Sequence, residues 1–260
     1  MALFDAHLHP AGLSRTDLHT LAGFGVGGAL LAAHAAPIDA EDALAHFRAL
    51  ARDQAPRLAR AGIRPFLALG IAPGGGAMRD AEQVLDLLHA QAGEVRLVAV
   101  GDIGLGEGSP ADEALFARQL ERAAEWGLPA VIEVSREERT KRLRRTLAVL
   151  RESALNPAQV ALVRARESDL STVLGCGHAA VLSLRTGGML PARTVAAVRR
   201  YGPGRLMLAS DAGDGASDLL ILPRTAHALA QAGLAPAVVR KLTRDNALAL
   251  LRVDPRALEP

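Results

Sequence analysis

Cysteine is almost missing from this chain. Cys176 stands alone among 260 residues, which excludes an intrachain disulfide and any multi-cysteine zinc cluster. Aromatic residues make up only 3%, so Ala, Leu and Val have to fill the core. Lysine is scarce too: Lys141 and Lys241 are the only two, and arginine carries nearly all the positive charge. No uninterrupted apolar run reaches the roughly 18 residues that a bilayer span needs. Asp5 and His7 arrive at once, with no basic region leading an apolar one, so no secretory leader is expected. These absences predict a soluble, cytoplasmic protein with no membrane partner.

What is present is ordinary in bulk. Half of the residues are apolar and 22% are charged, a balance that excludes a disordered chain. The formal charge is 30 − 28 = +2, and the calculated pI is 9.2. The arginine excess has two readings, a high-GC coding bias or an affinity for phosphates, which the planar guanidinium fork suits. The densest cluster, REERTKRLRR at 136–145, interleaves acids with bases at helical spacing and reads as a solvated helix face. No aromatics lie among these charges to stack bases, and no stable nucleic-acid complex is implied.

Short apolar runs alternate with helical stretches along the whole chain. The runs are 2–9, 27–34, 64–71, 95–105, 128–135, 159–165, 178–184 and 205–210. Helices are expected from Ser14 or Thr16, across IDAEDALAHFRALARDQAPRLARAG with Asp39 or Asp42 as cap, over 79–92, and from Pro110 to Glu125. The arginine-rich helix, a short one near 168–175, one from Pro191 to Tyr201, and two near 222–233 and 235–251 complete the series. Eight strand–helix units in one chain of this length predict a (β/α)8 TIM barrel, a single domain over 1–260, with parallel strands buried on both faces. A doubly wound sheet would carry a glycine fingerprint after its first strand. Here that strand ends in His-Leu-His, and GFGVGG (23–28) precedes a strand, so it reads as a helix stop and turn.

FDAHLHP is the most informative stretch. At strand period two, His7 and His9 share a face, and at the end of a first barrel strand that face looks into the catalytic mouth. Two imidazoles so placed can bind a divalent metal, with Asp5 below them as an outer acceptor. The competing reading is a polar pocket lined by histidines. Asp102 follows the fourth run in VAVGDIGL and Asp211 the eighth in LMLASDAGDG. Each is either a turn or cap aspartate, or a carboxylate converging on the same mouth as ligand or base.

These segments together resemble a TatD-type metal-dependent hydrolase of the amidohydrolase superfamily, over nearly the whole chain. FDAHLHP, VAVGDIGLGEG, ARQLERAAEWGLPAVIE, LMLASDAG and KLTRDNALALL carry the likeness. The resemblance implies one or two divalent ions, commonly zinc, manganese or magnesium, and cleavage of phosphoesters, often in DNA. Carried over by position, it retains His7, His9 and Asp211. The family's fourth-strand Glu becomes Asp102, its fifth-strand His becomes Glu133, and its sixth-strand His falls on Ala165, which binds nothing. The Asp after Gly-Leu falls on Gly106, with Glu107 adjacent.

The expected ligand set is therefore His7, His9, Asp102, Glu133 and Asp211, with Asp211 also catalytic, around one tight ion and at most one weak second. His34, at the end of the second run, is a candidate ligand, base or substrate contact. Arg164 and Arg166 flank the lost position and are candidates to replace a metal's charge or to hold a phosphate or carboxylate. The competing expectation faces them toward helices or solvent. His178 begins the seventh run on the opposite, stabilising face, and His19, His46, His89 and His227 lie on helices. Cys176 and Ser135 have no evident base partner. Two functions stay open: hydrolysis of a phosphoester (a nucleotide or DNA, or another small molecule) or an amide, and a degenerate barrel that binds a ligand or partner.

Overall fold

Eight apolar runs become eight parallel strands because each is buried on both faces and followed by a helix that covers one of them. In the computed structural model, which describes residues 2–32, 37, 39–74, 78, 80–92, 95–185, 187–215 and 217–258, the strands are β1 (Leu3–Leu8), β2 (Val26–Ala32), β3 (Arg64–Leu69), β4 (Leu97–Ile103), β5 (Ala130–Glu133), β6 (Val160–Val163), β7 (Ala179–Ser183) and β8 (Leu206–Ala209). They pair in sequence order as one eight-stranded sheet. The helices between and after them are α1 (Arg15–Gly23), α2 (Ala40–Ala49), α3 (Ala55–Arg60), α4 (Ala81–Ala92), α5 (Pro110–Glu125), α6 (Arg139–Glu152), α7 (Glu167–Gly175), α8 (Pro191–Tyr201), α9 (Ile221–Gln231), α10 (Pro236–Arg240) and α11 (Asn246–Leu250). This is a nearly closed, single-domain (β/α)8 barrel.

Local chemistry explains the helix starts. Ser14 caps α1 and Ser109 caps α5, each in a capping box with an aspartate three residues on. Asp39, not Asp42, caps α2 by accepting from the Asp42 amide. The long helix expected from 38 to 62 runs α2 into α3 through a π-helical turn at Leu50–Gln54, just ahead of Pro56, whose ring nitrogen has no proton to continue the ladder. Gly25, at φ +91° in GFGVGG, makes the turn between α1 and β2.

Two apolar layers result. Leu31, Leu67, Leu69, Ile132 and Leu182 face outward against helix residues such as Leu21, Leu58 and Phe116. Inside, Phe4, Phe66, Val131, Val181 and Met207 pack with Leu248, Leu251 and Leu258, so α11 and the residues after it stopper the end opposite the mouth. Gly28 has no room for a side chain there, because a Cβ would lie 2.5 Å from Leu258.

β1 and β8 close the ring by other means than a full ladder. Backbone bonds run from the Asp211 amide to the His7 carbonyl (3.2 Å) and from the His9 amide to the Ala212 carbonyl (2.9 Å). Below them, the fully buried Asp5 carboxylate accepts from the Ser210 amide (3.0 Å), the Ser210 hydroxyl and the His7 amide (3.2 Å). Asp5 is thus a seam residue rather than an outer partner of the imidazoles. Burial pushes its carboxyl up to about 6, against the pull of those hydrogen bonds.

One expectation about the arginine run needs correction. Arg139 is not on a solvated face: it is buried and bonds Asp169 (Nε, 2.8 Å) and the carbonyls of Val134 (2.8 Å) and Arg164 (3.0 Å). It ties the end of β5 to that of β6. Most of the other charged residues of the run, such as Arg144 and Arg145, are exposed as expected, while Arg142 is half-buried and Leu143 joins the core.

Candidate metal centre

His7 sits at the middle of the mouth, and it arrives there by an irregularity. Phe4 and Ala6 belong to the barrel interior, so strict alternation would send His7 outward. The β1–β2 register shifts between Asp5 and Leu8, and His7 turns inward. Its Nε2 meets Asp102 Oδ2 at 2.7 Å and its Nδ1 meets Asp211 Oδ1 at 2.8 Å. All three side chains are buried. Two carboxylates on two ring nitrogens require both nitrogens to donate, which is the imidazolium form. Burial alone would lower the His7 pKa, but Asp102 and Asp211 outweigh it and hold it well above the ordinary value.

His9 follows β1, with its ring edge-on to His7 at 4.7 Å between centroids. One donor atom each from His7, His9 and Asp211 lies within 4.8 Å of the others. Asp211 stands two residues past β8 at φ +49°, a left-handed conformation that Asp tolerates better than most residues. Its Oδ2 accepts from the Ser183 hydroxyl at the end of β7. Burial works to raise the Asp211 pKa, but His7, Ser183 and Arg164 prevail and hold it well below the usual carboxylate range.

Asp102 has only one oxygen accounted for: its Oδ1 is buried without a hydrogen-bond partner among the described residues. A bare buried carboxylate oxygen is costly. Asp102 adjoins the converging donors of His7, His9 and Asp211 through its bond to His7, and that N and O set suits zinc and, through its oxygens, harder ions. The residues present therefore fit a divalent ion that displaces a ring proton of His7, because only the neutral imidazole has a lone pair to donate.

The sixth-strand position is the surprise. Ala165 is buried and offers nothing, as expected. Arg164, at φ +53° directly after β6, turns into the mouth. Its Nη1 lies 3.1 Å from Glu133 Oε1, its Nη2 2.8 Å from Asp214 Oδ2 and 3.3 Å from His9 Nε2, and its Nε 3.7 Å from Asp211 Oδ2. Asp214 also receives Arg185 from the end of β7. Glu133 therefore faces a guanidinium and lies outside the His7–His9–Asp211 cluster.

The other sequence candidates scatter. Arg166 is exposed at the start of α7, and Glu107 is exposed in the β4–α5 loop. His34 lies outside the described residues. His178 is where expected, at the start of β7 away from the mouth, with Nδ1 at 3.2 Å from the Pro157 carbonyl. Sequence reading missed Ser183 and Asp214. Asp214 had a signal, since it repeats the acid in SDAGD three residues after Asp211, whereas Ser183 in VLSL had none.

No protein-family model and no curated relative matches the sequence itself. Solved structures do match. A TatD-like protein from Archaeoglobus fulgidus superposes with TM-score 0.80 at 26% identity, over 96% of this chain and 100% of that one. The phosphotriesterase homology protein of Escherichia coli, determined with phosphate in its active site, gives 0.69 at 16% over 96% and 98%. A TatD homologue from Escherichia coli gives 0.58 at 20% over 98% and 94%.

Proposed function

We propose a hydrolytic role for this chain, starting from the premise that its barrel is of the TatD type within the amidohydrolase superfamily. The reaction is hydrolysis dependent on a divalent metal, with a phosphoester as the first bond to test and an amide as the second. The observation that carries it is the buried His7, His9 and Asp211 triad beside the unpartnered Asp102 Oδ1.

His7, His9 and Asp211 would hold the ion, and Asp102 would complete the set. A divalent ion there supplies Lewis acidity, which makes water more acidic and polarises the oxygen of the scissile bond. Asp211, held ionised chiefly by His7 and oriented by Ser183, would accept a hydrogen bond from the attacking water and fix its direction. Arg164 is a permanent cation beside Asp211, and its Nε is buried without a hydrogen-bond acceptor. It stands where a second positive charge is wanted and balances charge developing on the substrate. One tight ion per chain follows from that, since Arg164 already engages Glu133 and touches His9.

A second reading has its own support. His7 as imidazolium and Arg164 as guanidinium already neutralise the acids of the mouth, as a metal-free binding barrel would require. Elemental analysis after mild purification separates the two. About one zinc or manganese per chain, and turnover of a chromogenic phosphodiester lost with it, supports the hydrolase. Less than about a tenth of a metal per chain and no uptake on titration supports the binding barrel. Replacing His7 or His9 by Ala should cost at least about ten-fold in metal affinity, because even outer partners of a ligand carry that much. Two equally tight ions would refute the role given to Arg164.

A further inference from the structure

Beside the metal centre, over the ends of β5, β6 and β7, lies a cavity of about 400 Å³ whose walls include Glu133, Arg164 and Ser183. It therefore adjoins Asp211 through the residues that orient it. Its walls also carry five further arginines, and they divide into two kinds. Arg139 is committed to Asp169, and Arg185 to Asp214. Arg136 in the β5–α6 turn, Arg166 at the start of α7 and Arg193 in the first turn of α8 meet no carboxylate among the described residues.

Glu133 is paired with Arg164, which leaves Glu167 as the wall's acid without an ion pair among the described residues. Against that acid, three arginines from three different elements line the same cavity without a carboxylate partner among the described residues. The N-terminus of α8 adds to the imbalance. Its Leu190 cap supplies no side-chain acceptor, and its first turn holds no acid, so its amides keep their positive end toward the mouth.

We propose that this cavity recognises the terminal dianionic group of a small molecule, of the phosphate-monoester class, and holds it next to the hydrolytic centre. Guanidinium forks approaching from separate elements match a tetrahedral dianion with several equivalent oxygens. The cavity's size suits one such group with a short organic body, and its position leaves the scissile bond at His7, His9 and Asp211. The assignment deepens the hydrolase reading by naming its substrate, and depends on that reading only for which bond is cut.

The probe is inorganic phosphate, titrated calorimetrically into the full-length chain in metal-loaded and EDTA-treated forms. Saturable binding of one phosphate per chain is expected in both. Arg136→Ala, Arg166→Ala and Arg193→Ala should each weaken it by about ten-fold, the usual worth of a charge-assisted contact. Arg144→Ala, an exposed arginine of α6 outside the cavity, should leave it unchanged. The three cavity arginines are at the surface, so their removal leaves the fold intact. Binding that disappears with EDTA and ignores these substitutions would place the anion on the metal and overturn the proposal. So would the absence of saturable binding, an equal loss in Arg144→Ala, or equally tight binding of succinate. If instead phosphate binds as expected while the chain takes up no metal, the hydrolase reading fails and the anion site stands.

Discussion

At the scale of single residues, the mouth shows which positions strand arithmetic can find. His7 and His9 were legible as a pair because few reasons exist to place two imidazoles at the end of a first strand. Asp102 and Asp211 were legible because they close two further runs. The inward turn of Arg164 was legible only as one of two alternatives, since β6 ends at Val163 and a left-handed residue then breaks the alternation by which sides are counted. Arg164→Ala should remove a positive charge from beside Glu133 and Asp211 and raise the affinity of a second, weak ion. Competition with a chromogenic chelator reads this, and an unchanged second site would contradict it. His178 gives a test by pH. Burial lowers its pKa, opposed by the Pro157 carbonyl. The unfolded chain then takes a proton that the native chain resists, so stability is full above the ordinary histidine value and is lost as pH falls through the depressed native one. Between about pH 8 and pH 5, His178→Asn, which keeps a donor for Pro157, should lose less melting temperature than the parent.

At the scale of elements, most boundaries came from caps and breakers, as at Ser109–Pro110 and Pro191. What no periodicity reveals is how two loops lock together. The turn after β1 and the loop after β8 touch through two glycines: a Cβ on Gly12 would lie 2.1 Å from the Gly213 carbonyl oxygen, and one on Gly213 1.8 Å from that of His9. Gly213→Ala should therefore lower stability by at least about 1–3 kcal/mol through strain and overpacking and weaken metal binding by displacing His9. Gly233→Ala supplies the comparison. It has a similar φ of +80° but open space around it, so it should cost only about 1–2 kcal/mol and leave the metal alone. Thermal melts and metal titration of the two variants measure both parts.

At the scale of the whole molecule, eight repeats of strand and helix made the barrel readable, because only that architecture uses so many parallel crossovers in a chain this short. The closure between first and last strand was unreadable, since Asp5 looked like part of the site. Asp5→Ala would leave the Ser210 amide and hydroxyl and the His7 amide without their acceptor, at about 1–3 kcal/mol for each group left buried. A large fall in melting temperature is expected, and a variant as stable as the parent would remove Asp5 from the seam. The same seam also sets where water first enters. A ring with one boundary held by two backbone bonds and a carboxylate has a weakest line, and local opening follows such lines. In deuterium, the amides of His9 and Asp211 should exchange ahead of those between β2 and β3, whose register is unbroken from Gly28 to Ala32. The strands that carry the imidazoles and Asp211 would then be the first to part, and a bound ion joining His7 to Asp211 would act as a clasp that slows that exchange.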